Sequence, residues 1–180
     1  LERRVPVTEE NPEKSKRGLY KIKDNYLRFW FAFIYPNMSF IESGHSGIVM
    51  DKIRRGLTTS HIGFVYEDIC QERMWELNVN NAWPFQFSQL GGYWDAKNEI
   101  DIAALDPEGK NLILGECKYW KEPVGLNVLH ALEAKACDVA WERDRRKVWY
   151  VLFSISGFSD ELRNHAATRD DLLLIDDRGR

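Results

Sequence analysis

Three charged residues lie inside stretches that otherwise read as apolar strands. Asp101 falls in EIDIAAL, while Glu116 and Lys118 fall in NLILGECKYW, and the two runs are joined by Asp106-Pro107-Glu108-Gly109-Lys110. Residues two apart on a strand share a face, so Glu116 and Lys118 project side by side. If the runs pair as a hairpin, a two-residue turn at Glu108-Gly109 sets Asp101 opposite Glu116. A three-residue turn with Gly109 left-handed shifts the register by one. Either way two carboxylates and an ammonium converge.

Two carboxylates at one spot repel, so one must hold a proton or a cation must bridge them. Mg2+, or Mn2+ in its place, suits the second solution, because Mg2+ takes one or two carboxylates together with water and phosphate oxygens. The backbone carbonyl of Cys117, between the charged pair, is a candidate third protein ligand. Beside two acids Lys118 stays an ammonium, suited to orienting an attacking water and stabilising charge on a phosphate rather than to taking a proton. The metal would lower the pKa of that water. The chemistry expected is metal-dependent phosphodiester hydrolysis.

The elements that must position these groups follow from periodicity and turn signals. Ser60 is suited to cap a helix through HIGFVYEDICQERMWEL, with Ile62, Val65, Tyr66, Ile69 and Leu77 at helical spacing and Glu67 beside that face. Strands are expected at 85–94, 99–105 and 112–120, followed by a helix over 125–138 and a strand over 148–155. A helix over 159–169, capped by Ser159, and a short strand over 172–175 complete the pattern. This order implies an α/β fold with a mixed sheet flanked by helices. Upstream, Asp24 or Asn25 caps a helix from Tyr26 that Pro36-Asn37 ends. Gly44, Gly47 and Gly56 mark turns around a short helix over 48–55. The chain divides as 1–37, a connecting segment 38–59, and a main domain 60–180.

A chain of 180 residues with 44% hydrophobic content suffices for one ordinary core. It opens on Leu1 rather than Met, which reads as a piece of a longer protein. Cys70, Cys117 and Cys137 form no C-x-x-C pair and read as reduced, buried thiols; with no leader pattern, a cytoplasmic location is expected. The aromatic-apolar stretch Tyr26 to Tyr35, broken by Arg28, is half the length of a membrane span. Residues 1–60 carry 11 Lys/Arg against 7 Asp/Glu, whereas 61–180 carry 14 against 21. An acidic main domain is not by itself a nucleic-acid binder unless a bound cation neutralises its carboxylates. Arg143, Arg145 and Arg146, before Lys147, are candidate phosphate contacts.

G-G-Y-W-D-x-x-x-E-I-D-I-A-A followed by G-E-C-K resembles the core of the PD-(D/E)XK nuclease superfamily, which includes Holliday-junction resolvases and Mrr-type restriction endonucleases. The resemblance covers about Ser60 to Ile175, with Ile100 in the place of the motif's Pro. It implies a restriction-endonuclease-like αβββαβ core, Asp101, Glu116 and Lys118 as the catalytic motif, and Glu67 as the matching helix acid and metal ligand. It also implies Lys135, on the following helix, as a further polar site residue, with DNA, branched DNA included, as substrate and a homodimer as the assembly. Over the full chain, LERRVPVTE, KSKRGLYKIKDNYLRFWFAFIYPN, F-V-Y-E-D-I-C and GECKYW resemble the C-terminal region of DEXX-box ATPases. That resemblance implies an upstream P-loop ATPase and a winged helix ending within Leu1 to about Glu10. No G-x-x-x-x-G-K-[ST] occurs, so no nucleotide site falls on this chain. The alternatives are an inactive module of the same fold, used for DNA docking or oligomerisation, and a nuclease directed at RNA.

Overall fold

The computed structural model describes residues 1–176, apart from the side chains of Thr59 and Ser60; the last four residues of the expected 60–180 unit lie outside it. Strand β1 (Glu2–Arg4) pairs antiparallel with β2 (Leu19–Lys21). Helix α1 (Asn25–Phe29) starts where Asp24 Oδ1 accepts the Leu27 N–H at 2.8 Å, as the capping pattern predicts. It does not stop at Pro36. The backbone continues through a π turn (Trp30–Ile34) and a 3-10 turn (Tyr35–Asn37) into α2 (Met38–Glu42), because Pro36 sits at the start of the 3-10 turn, where no N–H is required of it.

Of the three glycines expected to mark turns, only Gly44 does so, at φ +79°; Gly47 and Gly56 lie inside α3 (Ser46–Leu57). A π turn (Thr58–Ile62) joins α3 directly to α4 (Gly63–Val79), so the backbone is already helical at Ser60 and no new helix starts there. The side chain of Ser60, the expected cap, lies outside the described residues. The buried face of α4 is Tyr66, Cys70, Met74 and Asn78, one residue every turn. Ile69, expected on that face, is 52% exposed, and of the three thiols expected to be buried only Cys70 is, with Cys117 half-buried and Cys137 exposed at the end of the helix over 126–138.

Strands β3 (Gln89–Trp94), β4 (Glu99–Leu105), β5 (Asn111–Lys118), β6 (Lys147–Ser154) and β7 (Leu172–Asp176) form one sheet in that order. The first two pairings are antiparallel and the last two parallel, so the expected mixed sheet is present. β3 begins later than the sequence suggests. Buried Asn78 binds both backbone groups of Phe87, each at 3.0 Å, and holds that segment off the sheet. Helices α5 (Leu126–Asp138) and α6 (Asp160–Ala166) cross between the parallel strands, α6 capped by Ser159 as expected.

The sheet is buried on both faces. On one, Leu112, Leu114 and Leu152 pack with Val128, Leu129 and Leu132 of α5 and Leu162 of α6. On the other, Ile102, Ile113, Val151 and Phe153 meet Tyr66, Cys70 and Met74 of α4. The N-terminal segment is tied to this body, with Val7 N–H bonded to Gly92 O at 2.9 Å on the outer edge of β3. None of the helices in the described residues is long and apolar enough to cross a membrane.

Candidate active site

The β4–β5 hairpin keeps the register that sets Asp101 opposite Glu116. Its pairs run from Leu105↔Leu112 to Ile102↔Gly115. At the turn, Gly109 is left-handed at φ +70° and its N–H reaches Asp106 O at 3.4 Å. A left-handed Gly109 was expected to accompany a shifted register. Here the loop runs over Pro107 to Lys110, long enough to absorb that conformation without a shift.

A bulge on the other side of β4 re-aims Asp101. Gly91 pairs with Ala103 and Tyr93 with Ile100, so Gly92 faces both Asp101 and Ile102. Strict alternation would put Ile100 with Ile102 and Ala104, yet Ile100 packs on the α5 face with Ala103 and Leu105. The extra residue therefore turns Asp101 toward α4, where Gln71 Nε2 donates to its backbone carbonyl at 3.3 Å. Asp101 Oδ2 accepts the Cys117 N–H at 2.8 Å, so a carboxylate takes the donor next in line where the ladder ends.

Glu116, by contrast, points to α5. Its Oε1 accepts from Lys135 Nζ at 2.6 Å and its Oε2 from Lys118 Nζ. Lys118 links the two acids, with its Nζ 3.8 Å from Asp101 Oδ2 and 5.6 Å from the Trp120 ring centroid. Gly115 lets β5 lie this close to its neighbours, since a Cβ there would fall 2.5 Å from Val151 Cγ1.

The electrostatics follow from burial and from charge count. Burial first, then the Glu116 charge, raises the Asp101 carboxyl to about 6. Glu67 is pushed up to about 7 by burial and then by Asp101. For Lys118 burial works against the ammonium, but the Glu116 and Asp101 charges outweigh it and the net shift is upward. A cavity of about 580 Å³ opens here, lined by Glu67, Asp101, Lys118, Trp120 and Lys121, with Thr58 of the π turn on its rim. π turns recur at functional sites because they displace a helix face by one residue.

The structure thus joins Asp101, Glu116, Lys118, Lys135 and Glu67 at one end of the sheet. Among the described residues, no three His, Cys, Asp or Glu side chains form a ready-made metal cage. The donor chemistry still fits a hard cation: three acids meet two ammoniums, and two of the acids are pushed toward protonation by their surroundings. The three arginines do not join this site. Arg143 and Arg146 donate to backbone carbonyls of Asp138 and Ala136 at the end of α5, and Arg145 pairs with Glu142 beside the Gly109 turn, the end of the hairpin away from Asp101. Sequence reading overlooked Gln71, although its place four residues after Glu67 on one helix face was the available signal. It also overlooked the Asp68 cluster, in which Arg4, Lys21 and Arg28 lie 3.0, 3.2 and 3.5 Å from one carboxylate. Nothing local in the sequence predicts that cluster.

Residues 30–137 match the family DUF234, described as archaeal and bacterial proteins of unknown function. The chain belongs to this family. An uncharacterized protein of Methanocaldococcus jannaschii is 40% identical over 122 residues, which is 68% of this chain and 26% of that protein. The chain thus spans about a quarter of that longer relative. Among solved structures, a repair endonuclease from Pyrococcus abyssi aligns at TM-score 0.36 and 12% identity, over 57% of this chain and 44% of that one. EndoMS in complex with double-stranded DNA aligns at TM-score 0.35 and 14% identity, over 59% and 44%. Both likenesses are partial and transfer no activity to this family member.

Proposed function

We propose that this DUF234 protein hydrolyses DNA phosphodiester bonds with a divalent metal, Mg2+ or Mn2+. The observation that carries the reading is the meeting of Asp101, Glu116 and Lys118 where a hairpin ladder opens beside a solvent-reachable cavity. Asp101, Glu116 and the Cys117 carbonyl would hold the metal, with Glu67 in reach of the same cavity. When bound, the metal supplies a water of lowered pKa and polarises the phosphoryl oxygen. Lys118, kept protonated by its two acids, orients the water and meets the charge that develops on the phosphate. Gln71 and the Cys117 N–H fix Asp101 from its carbonyl and carboxylate ends. The finer setting proposed is a cytoplasmic module at the C-terminal end of a P-loop ATPase, after a winged helix, acting on branched DNA as a homodimer.

One observation favours the alternative of a non-catalytic module for DNA docking or oligomerisation. Glu116 is only 5% exposed, and both of its oxygens are already paired with lysines. The readings part in a cleavage assay on supercoiled, branched and single-stranded DNA with Mg2+ or Mn2+. Cutting that disappears in Lys118→Ala supports the enzyme. No cutting of any substrate, or equal cutting by wild type and Lys118→Ala, leaves the module.

A further inference from the structure

Lys135 does something that the motif alone does not require. Its ammonium lies 2.6 Å from Glu116 Oε1 and 2.7 Å from the backbone carbonyl of Glu99, the first residue of β4 and two before Asp101. One side chain from α5 thus straps β4 to β5 across the end where their ladder opens. The two lysines on Glu116 are held differently. Lys118 is pinned between two carboxylates and the Trp120 ring, with its side chain 19% exposed. Lys135 has one acid partner and one carbonyl, and its side chain is 29% exposed on a flexible stem.

A divalent cation on Glu116 and an ammonium on the same carboxylate repel, and at the low effective dielectric of a nearly buried group the repulsion is not screened away. Of the two ammoniums, Lys135 is the one free to leave. Its partly exposed stem lets the released charge turn outward, toward an incoming anion such as a phosphate.

We infer that Lys135 is a counter-ion gate: it occupies Glu116 while no metal is bound, yields it to the divalent cation, and passes its ammonium to a substrate phosphate. The inference extends the phosphodiesterase reading. Metal and DNA then bind cooperatively, because each relieves a cost that the other meets, and linkage makes the effect reciprocal. Lys135 acts here as a positioning residue.

The test uses the whole chain as wild type, Lys135→Met, which keeps most of the aliphatic stem, and Lys135→Arg, which keeps the charge. Calorimetry with Mn2+ alone should give about 10-fold tighter binding for Lys135→Met than for wild type, with Lys135→Arg near wild type. Anisotropy of a labelled duplex with and without Ca2+ should show the metal strengthening DNA binding by about 10-fold in wild type and much less in Lys135→Met. Thermal unfolding of each variant checks that the fold is kept, and Lys135→Gln replaces Lys135→Met if the latter does not fold. Mn2+ affinity that is equal or weaker in the charge-removing variant overturns the gate and leaves the phosphodiesterase reading standing. If no variant and no wild type binds Mn2+, with or without duplex, both fall together.

Discussion

Glu67 and Asp68 are neighbours on α4, yet they belong to two opposite electrostatic regions. Around Asp68, three cations from β1, β2 and α1 converge on one carboxylate, whose ionised form is favoured although burial opposes it: Lys21 and Arg4 win, and the pKa moves down. Around Glu67, Asp101 and Glu116, acids outnumber ammoniums, and the first two are pushed up to about 7 and about 6. The difference is one of stoichiometry: three cations meet one carboxylate around Asp68, and two ammoniums meet three acids at the other site. A surplus of cations closes a structural joint between the N-terminal hairpin and the helix, whereas the deficit is what the proposed divalent cation would relieve.

The largest expected effect breaks the second region. Asp101→Asn or Lys118→Ala should reduce metal-dependent DNA cleavage by about 10²–10⁴-fold while circular dichroism and the unfolding midpoint stay close to wild type. Loss of folding in both would instead make the trio a structural cluster. Next, Asp68→Ala should destabilise the protein by about 1–3 kcal/mol in denaturant unfolding, because it strands three partly buried cations. Its Mn2+ affinity should change far less than its stability; a parallel loss of both would erase the distinction between the regions. Gly115→Ala should cost about 1–3 kcal/mol by forcing β5 from β6 next to Glu116, read from the same unfolding curves.

The smallest effect is a pair of opposite pH slopes. A carboxyl whose folded pKa is raised makes folding less favourable as it is forced to ionise. In metal-free buffer, Glu67 should therefore lower stability as pH rises from 4.5 toward about 7. Asp68, with its folded pKa below 3.8, should contribute stability above that value and lose it as pH falls further. Glu67→Gln should reduce the upper slope and leave the part that Asp101, raised to about 6, contributes; an unchanged slope in that variant would remove Glu67 from the site.

Much of the site was legible because strands make spacing into geometry. Glu116 and Lys118 had to share a face, and the turn-rich link predicted a hairpin that brings Asp101 to them in either of two registers, between which the structure decided. Asp24 and Ser159 announced their helices by capping chemistry, a local effect. Elsewhere local signals misled. Ser60 looks like a cap but stands in unbroken helical backbone, and Ile69 fits the apolar spacing of α4 yet faces solvent, since the buried stripe runs through Tyr66, Cys70 and Met74 and Ile69 lies one residue off it. The basic run at Arg143 to Arg146 looks like a phosphate patch, but its guanidiniums are engaged by carbonyls and Glu142.

By itself, then, the sequence determined the order of the elements, the mixed sheet and the candidate trio, because periodicity, caps and turns act within a few residues. Only the tertiary structure decided how the acids divide. The bulge at Asp101–Ile102 turns one carboxylate to α4, Lys135 takes another toward α5, and Arg4, Lys21 and Arg28 claim Asp68 while leaving Glu67 in charge deficit. Those outcomes depend on which distant charges packing brings within a few ångströms, and the Coulomb balance at a half-buried group depends on that distance and on the water it excludes.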